Sequence, residues 1–109
     1  MIRPDIPHEE TIIELMREDP AYADELLAVA LEEINEQGGR EALLTALRCY
    51  AEAKGMSAIA QETGLSRESL YRALSTRGNP TLKTLLAVLN ALGLRLGVER
   101  TQPTNATTA

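Results

Sequence analysis

Gly64 sets the geometry that the rest of this chain has to accommodate. It stands inside residues 56–75, MSAIAQETGLSRESLYRALS, between two stretches with helical spacing. A chain leaving one helix to enter another needs a residue that can take φ > 0, and glycine does so at little cost. Ala60, four residues earlier, is small enough for two helices to cross closely, and Leu65 fills the space between them. Ser66 suits the N-cap of the second helix, because its hydroxyl can accept a bond from a free backbone N–H. Leu70 and Leu74, spaced i and i+4, share the inward face. Arg67, Glu68, Ser69, Tyr71 and Arg72 are left outside. The combined spacing of Ile59, Ala60, Gly64, Leu65 and Leu70 reads as a helix-turn-helix. The alternative is an ordinary helical hairpin with a glycine between its arms.

The remaining composition agrees with a helical protein. The chain has 109 residues, enough for one domain, and 44% of them are hydrophobic. Trp and Phe are absent and there are three Tyr, so the core must be built from Leu, Ala, Ile and Val. Abundant Leu, Ala and Glu favours helices. No apolar run approaches the roughly 20 residues of a membrane span. The start, MIRPDIPHEE, lacks the apolar core of a signal peptide. A cytoplasmic protein without a membrane partner is expected. Cys49 is the sole cysteine and His8 the sole histidine, so there is no internal disulfide and no ligand set for zinc. Cys49 is expected as a small, partly buried side chain. With no Ser/His/Asp set and no phosphate-cradling glycine loop, neither catalysis nor a cofactor or metal is expected.

Charge is divided unevenly. Residues 1–53 hold four Lys or Arg against thirteen Asp or Glu, a balance of −9. Residues 54–109 hold seven against three, a balance of +4, which gives the overall −5. The acidic total alone argues against a nucleic-acid partner. The division restores it, since a basic half can meet phosphates while the acidic half points elsewhere.

Apart from the motif, four further helices are expected. Residues 9–18 carry Ile12, Ile13, Leu15 and Met16 among charges and stop at Asp19-Pro20. Pro20 suits the first turn of the next helix, with Asp19 as its N-cap. That helix runs to Glu36, with Leu26, Leu27, Ala30, Leu31 and Ile34 as its apolar stripe, and Gly38-Gly39 ends it. Residues 40–53 follow, with Leu43, Leu44, Leu47 and Tyr50 inward. Gly55 stops this helix, and Ser57 can cap the next. After the motif, residues 76–80 form a turn-rich loop, and Thr81 caps a last helix that buries Leu82, Leu85, Leu86, Leu89 and Leu92. Residues 94–99 alternate apolar with polar or small side chains, the pattern of a short strand. A lone strand needs a partner, so pairing with a second copy or a partner's sheet edge is expected, with an extended tail packed on the helices as the alternative. The polar end, residues 101–109, should be disordered.

The segments GLSRESLYRALS and GNPTLKTLLAVLNALGL, with the helix before them, resemble HigA-like antidotes of toxin–antitoxin (addiction) modules. These belong to the phage-repressor-like, lambda-type helix-turn-helix proteins. The resemblance covers about residues 20–98. It implies an all-α bundle of five to six helices, with room for a short C-terminal strand. Residues 1–19 form an N-terminal extension and 99–109 a tail. It also implies a dual role, namely neutralising a small RelE-like mRNA endoribonuclease and repressing the protein's own operon. A stand-alone repressor without a toxin is the alternative. One departure is Met56, where many phage-type repressors carry Gln or another polar residue. Ser57 is the nearest substitute for its phosphate contact.

The residues suggest how each partner would be met. Arg67 and Glu68 open the second helix of the motif and are placed to read guanine and cytosine edges, with Ser69 and Arg72 extending that face. Tyr71 reads either as a phosphate or thymine-methyl contact or as a packing residue. Ser57, Ser66, Arg77 and Asn79 complete the DNA-binding candidates, with the free N–H groups at the start of the Met56–Thr63 helix as a backbone site for phosphate. Asp24, Glu25, Glu32, Glu33 and Glu36 are candidates for covering a basic toxin, or form a merely solvated face. The apolar part of residues 12–16 either docks onto toxin or completes the core. Leu94, Leu96 and Val98 are candidates for a homodimer contact. A dimer would place two recognition helices about 34 Å apart on double-stranded operator DNA with inverted repeats.

Overall fold

The computed structural model describes residues 8–101. Those residues form six helices and no strand: α1 (Glu9–Glu18), α2 (Pro20–Glu32), α3 (Gly39–Lys54), α4 (Met56–Thr63), α5 (Arg67–Ala73) and α6 (Leu82–Ala91). α1, α2 and α3 pack on one another. α3 passes the chain on to α4, which packs against both α5 and α6. One apolar core joins all of them. Leu47 of α3, Leu70 of α5, Val88 of α6 and Leu74 at the end of α5 lie at its centre, almost wholly shielded from solvent. Burial of each such leucine contributes about 1.5–3 kcal/mol.

Local chemistry sets most boundaries. The Asp19 carboxylate accepts from the Ala21 N–H at 3.1 Å, and Pro20 occupies the first turn of α2. Ser66 Oγ accepts from the Ser69 N–H at 3.0 Å, and Thr81 Oγ1 from the Thr84 N–H at 3.1 Å. Both are N-caps that satisfy an otherwise orphaned donor. Gly64 ends α4 at φ +76, and its N–H reaches the Ala60 carbonyl at 3.0 Å.

Several expectations need correction. α2 stops at Glu32 rather than Glu36, because the chain already turns through residues 33–38 and Gly39 opens α3 packed against the Glu33 and Ile34 carbonyls. This leaves Leu31 exposed. Ser57 does not cap α4. Gly55 takes that position at φ +109, and Ser57 is the exposed second residue of the helix. On α6 the buried stripe is Val88, Leu89 and Leu92, with Leu85 half-buried, while Leu82 and Leu86 are exposed. A helix this rich in leucine has two stripes with helical spacing, and packing on α4 selects one. Residues 94–99 form no strand, since the described residues offer them no strand to pair with. Leu94 instead packs on the core, whereas Leu96 and Val98 remain exposed.

α1 does not stand apart from the bundle. Met16 is buried in the common core, with Ile12 and Ile13 packed against it, so this segment completes the protein's own interior. Leu15 is exposed. All but the first residue of the expected disordered tail, 101–109, lies outside the described residues.

Candidate functional site

The outward face of α5 follows from what its inward face must bury. Leu70 has no solvent exposure, and neither does Leu74 just beyond the helix, so the remaining positions turn outward. Arg67, Glu68 and Arg72 are exposed, as are Arg77 and Asn79 on the following loop. α4 and α5 are joined by only three residues, Gly64, Leu65 and Ser66, and Leu65 packs into the core between them. The hydroxyls of Ser66 and Ser69 are engaged with each other at 3.0 Å, so both serve the start of α5 as well as its surface.

Tyr71 joins α5 to α3. Its hydroxyl donates to the Glu52 carboxylate of α3 at 2.5 Å, and the ring is half-buried. This hydrogen bond, helped by burial and opposed by the nearby Arg67 guanidinium, holds the phenol above its ordinary pKa. Tyr71 therefore fixes α5 to α3.

Two arginines that sequence spacing does not single out also position this face. Arg48 of α3 donates to the Leu74 carbonyl at 2.8 Å and, through its other nitrogen, to Glu9 of α1 at 2.6 Å. The Arg48 side chain is only 16% exposed, while Glu9 is about half exposed at 49%, so the arginine end of the pair is shielded and the carboxylate end is open to solvent. Arg40, at the start of α3, donates to the carbonyl of Gly78. The end of α5 and the loop after it are thus clamped by α3. Sequence separations of 26 and 38 residues hide both contacts from any periodicity.

The acidic candidates divide by role. Asp24 accepts from the Tyr50 hydroxyl at 2.5 Å, which ties α2 to α3. Burial first, then this bond, pushes the Tyr50 phenol up to about 12. Glu25, Glu32, Glu33 and Glu36 are exposed. Glu33 and Glu41 help line a groove of about 350 Å³ between α2 and α3, whose other walls include Ile12, Leu26, Val29 and Ala46. Cys49 is fully buried beneath the groove, not partly buried as expected, and burial pushes its thiol up to about 11.

Among the described residues no group of three or more His, Cys, Asp or Glu is placed to hold a metal ion. No helix there is long and apolar enough to cross a membrane.

Comparison with known proteins adds a family. A family model described as "Probable addiction module antidote protein" matches residues 11–100. An uncharacterized protein of Haemophilus influenzae (strain Rd) is 41% identical over 80 residues, which cover 73% of this chain and 82% of that protein. No solved structure gives a significant match.

Proposed function

This chain belongs to the family of probable addiction module antidote proteins, and on that premise we propose that it holds a toxin inactive with its acidic half and represses its own operon with its basic half. Membership in the family implies a cognate toxin partner. The finer reading is a HigA-like antidote with a lambda-type helix-turn-helix, directed at a small, basic, RelE-like endoribonuclease.

The observation that carries the DNA half is the orientation of α5. With Leu70 and Leu74 inside, Arg67, Glu68 and Arg72 form the only outward face the helix has. Arg67 is suited to a bidentate contact with guanine, and Glu68 to accept from cytosine, while Arg72, Ser69 and Ser66 border them. Arg77, Asn79 and Ser57 would meet phosphates together with the first N–H groups of α4. Tyr71 supports the helix from behind. Operator binding as a homodimer would use Leu96 and Val98. The exposed Leu82 and Leu86 add apolar surface on α6.

The toxin half draws support from the −9 balance of residues 1–53, which suits a basic ribonuclease surface. Glu25, Glu32, Glu33 and Glu36 are available for it. Asp24 acts mainly through Tyr50.

The test is co-purification with the product of the adjoining small open reading frame, followed by a gel shift on the shared upstream DNA. A stable complex that also shifts the promoter is expected. A promoter shift with no protein partner would leave a stand-alone repressor.

A further inference from the structure

We propose that the apolar groove between α2 and α3 is the seat of one basic segment of the cognate toxin, which inserts an aliphatic or aromatic side chain between flanking lysines or arginines. The proposal rests on the antidote reading and says where and how the toxin is held.

The groove encloses about 350 Å³, and its lining is overwhelmingly carbon. α3 contributes Ala42 and Ala46, one helical turn apart, and these small side chains keep it open. Val29 is 41% exposed on the opposite wall. A second hollow of about 310 Å³, formed by Tyr22, Glu25, Leu26 and Val29, shares Leu26 and Val29 with the first. The apolar surface is therefore continuous across α2. An open apolar surface of this kind with a polar border is the usual form of a protein docking site.

Charge decides the occupant. Glu33 and Glu41 line the first hollow and Glu25 the second. There is no Lys or Arg between Glu18 and Gly39, so α2 offers these carboxylates no cation of its own. Arg40 reaches Glu41 only at 4.0 Å, with both side chains about half exposed, so that pair is weak. Among the described residues Glu25 and Glu33 have no ion pair. A fitting partner brings an apolar tip and positive charge together. A second copy would meet like charge with its acidic half, and its basic half is the part assigned to DNA; nucleic acid would meet like charge throughout. A neutral small molecule would leave the carboxylates unused.

The experiment uses the full chain and the purified product of the adjoining small open reading frame, titrated by calorimetry. Ala42→Trp fills the groove without changing charge, and it should weaken toxin binding by about thirty-fold or more. Glu33→Lys should weaken it by about five-fold, with the loss growing as salt is lowered. Promoter binding and helical CD should be unchanged in both variants, which separates loss of the groove from loss of the fold. Toxin affinity equal to wild type in Ala42→Trp would overturn the groove assignment while leaving the antidote reading intact. No toxin binding by the wild-type chain would overturn both. If Ala42→Trp instead abolished self-association measured by sedimentation, with toxin affinity untouched, the occupant would be a second copy and the proposal would be wrong.

Discussion

The two charged halves of this molecule are held together by different means. In the acidic half, α1, α2 and α3 pack along one another, and Met16, Leu27 and Leu47 are buried where they meet. In the basic half, α5 has seven residues and gives the core Leu70, followed by Leu74 at its end. A helix of that length is unstable alone. It is held by the Ser66 cap, by Tyr71 on Glu52, and by Arg48 on the Leu74 carbonyl. The comparison teaches that a surface helix can devote nearly its whole outer face to charge if the helix behind it supplies polar clamps. α3 fills that role, and it also forms one wall of the apolar groove.

The strongest way to break each half is through a glycine pressed against backbone. A Cβ on Gly78 would lie 2.2 Å from the Ala73 carbonyl oxygen, and one on Gly39 would lie 2.3 Å from that of Glu33. The Ala73 carbonyl belongs to the last turn of α5 and the Glu33 carbonyl to the tight turn that closes α2. Both are backbone and cannot give way cheaply, so Gly78→Ala and Gly39→Ala should each cost about 3 kcal/mol in denaturant unfolding. They should differ in function. Gly78→Ala should lose promoter binding first, and Gly39→Ala should lose toxin binding first. Equal losses of both activities in both variants would mean that the halves are not separable.

A milder change sharpens the same contrast. Arg48→Met keeps the stem of the side chain but removes the Leu74 and Glu9 contacts. It should cost about 1–2 kcal/mol of stability. Under the proposed function promoter affinity should fall by about ten-fold, because α5 is left loosely aimed. Toxin affinity should change little, which a parallel titration would check.

Alkaline pH probes α3, where the halves meet. The Cys49 thiol sits at about 11 against an ordinary 9.0, and the Tyr50 phenol at about 12 against 10.0. Both folded groups hold their proton more tightly than the unfolded chain does, so the stability they contribute is complete below the unfolded values. It is lost from pH 9 to about 11 for Cys49 and from pH 10 to about 12 for Tyr50. The thermal midpoint should therefore decline across that span. Tyr50→Phe should remove the upper part of the decline and cost about 1 kcal/mol at neutral pH through the lost bond to Asp24.

Much of the fold could be read from the sequence because its punctuation is local. Asp19-Pro20, Gly64, Ser66 and Thr81 act within a few residues, and each stands at the boundary expected of it. Ser57 misled because Gly55, two residues earlier, could take the cap position instead. Leu82 and Leu86 misled because helical spacing does not say which of two leucine stripes meets a neighbour. The clamps from Arg40, Arg48 and Glu52 join residues 19 to 38 apart, and the groove gathers side chains from α1, α2 and α3. Such features exist only after packing. The outward set on α5 was legible, since an amphipathic helix of known inward face leaves only one outward one.

The most direct measurement is made on the double variant Arg67→Ala/Arg72→Ala, with promoter affinity and toxin affinity determined on the same preparation. Both side chains are exposed, so the helical CD should match wild type. Promoter binding should fall by about a hundred-fold or more, with toxin affinity unchanged. Retained promoter affinity would show that α5 does not read the DNA. A parallel loss of toxin binding would show that one surface serves both partners, contradicting the division of labour between the two halves.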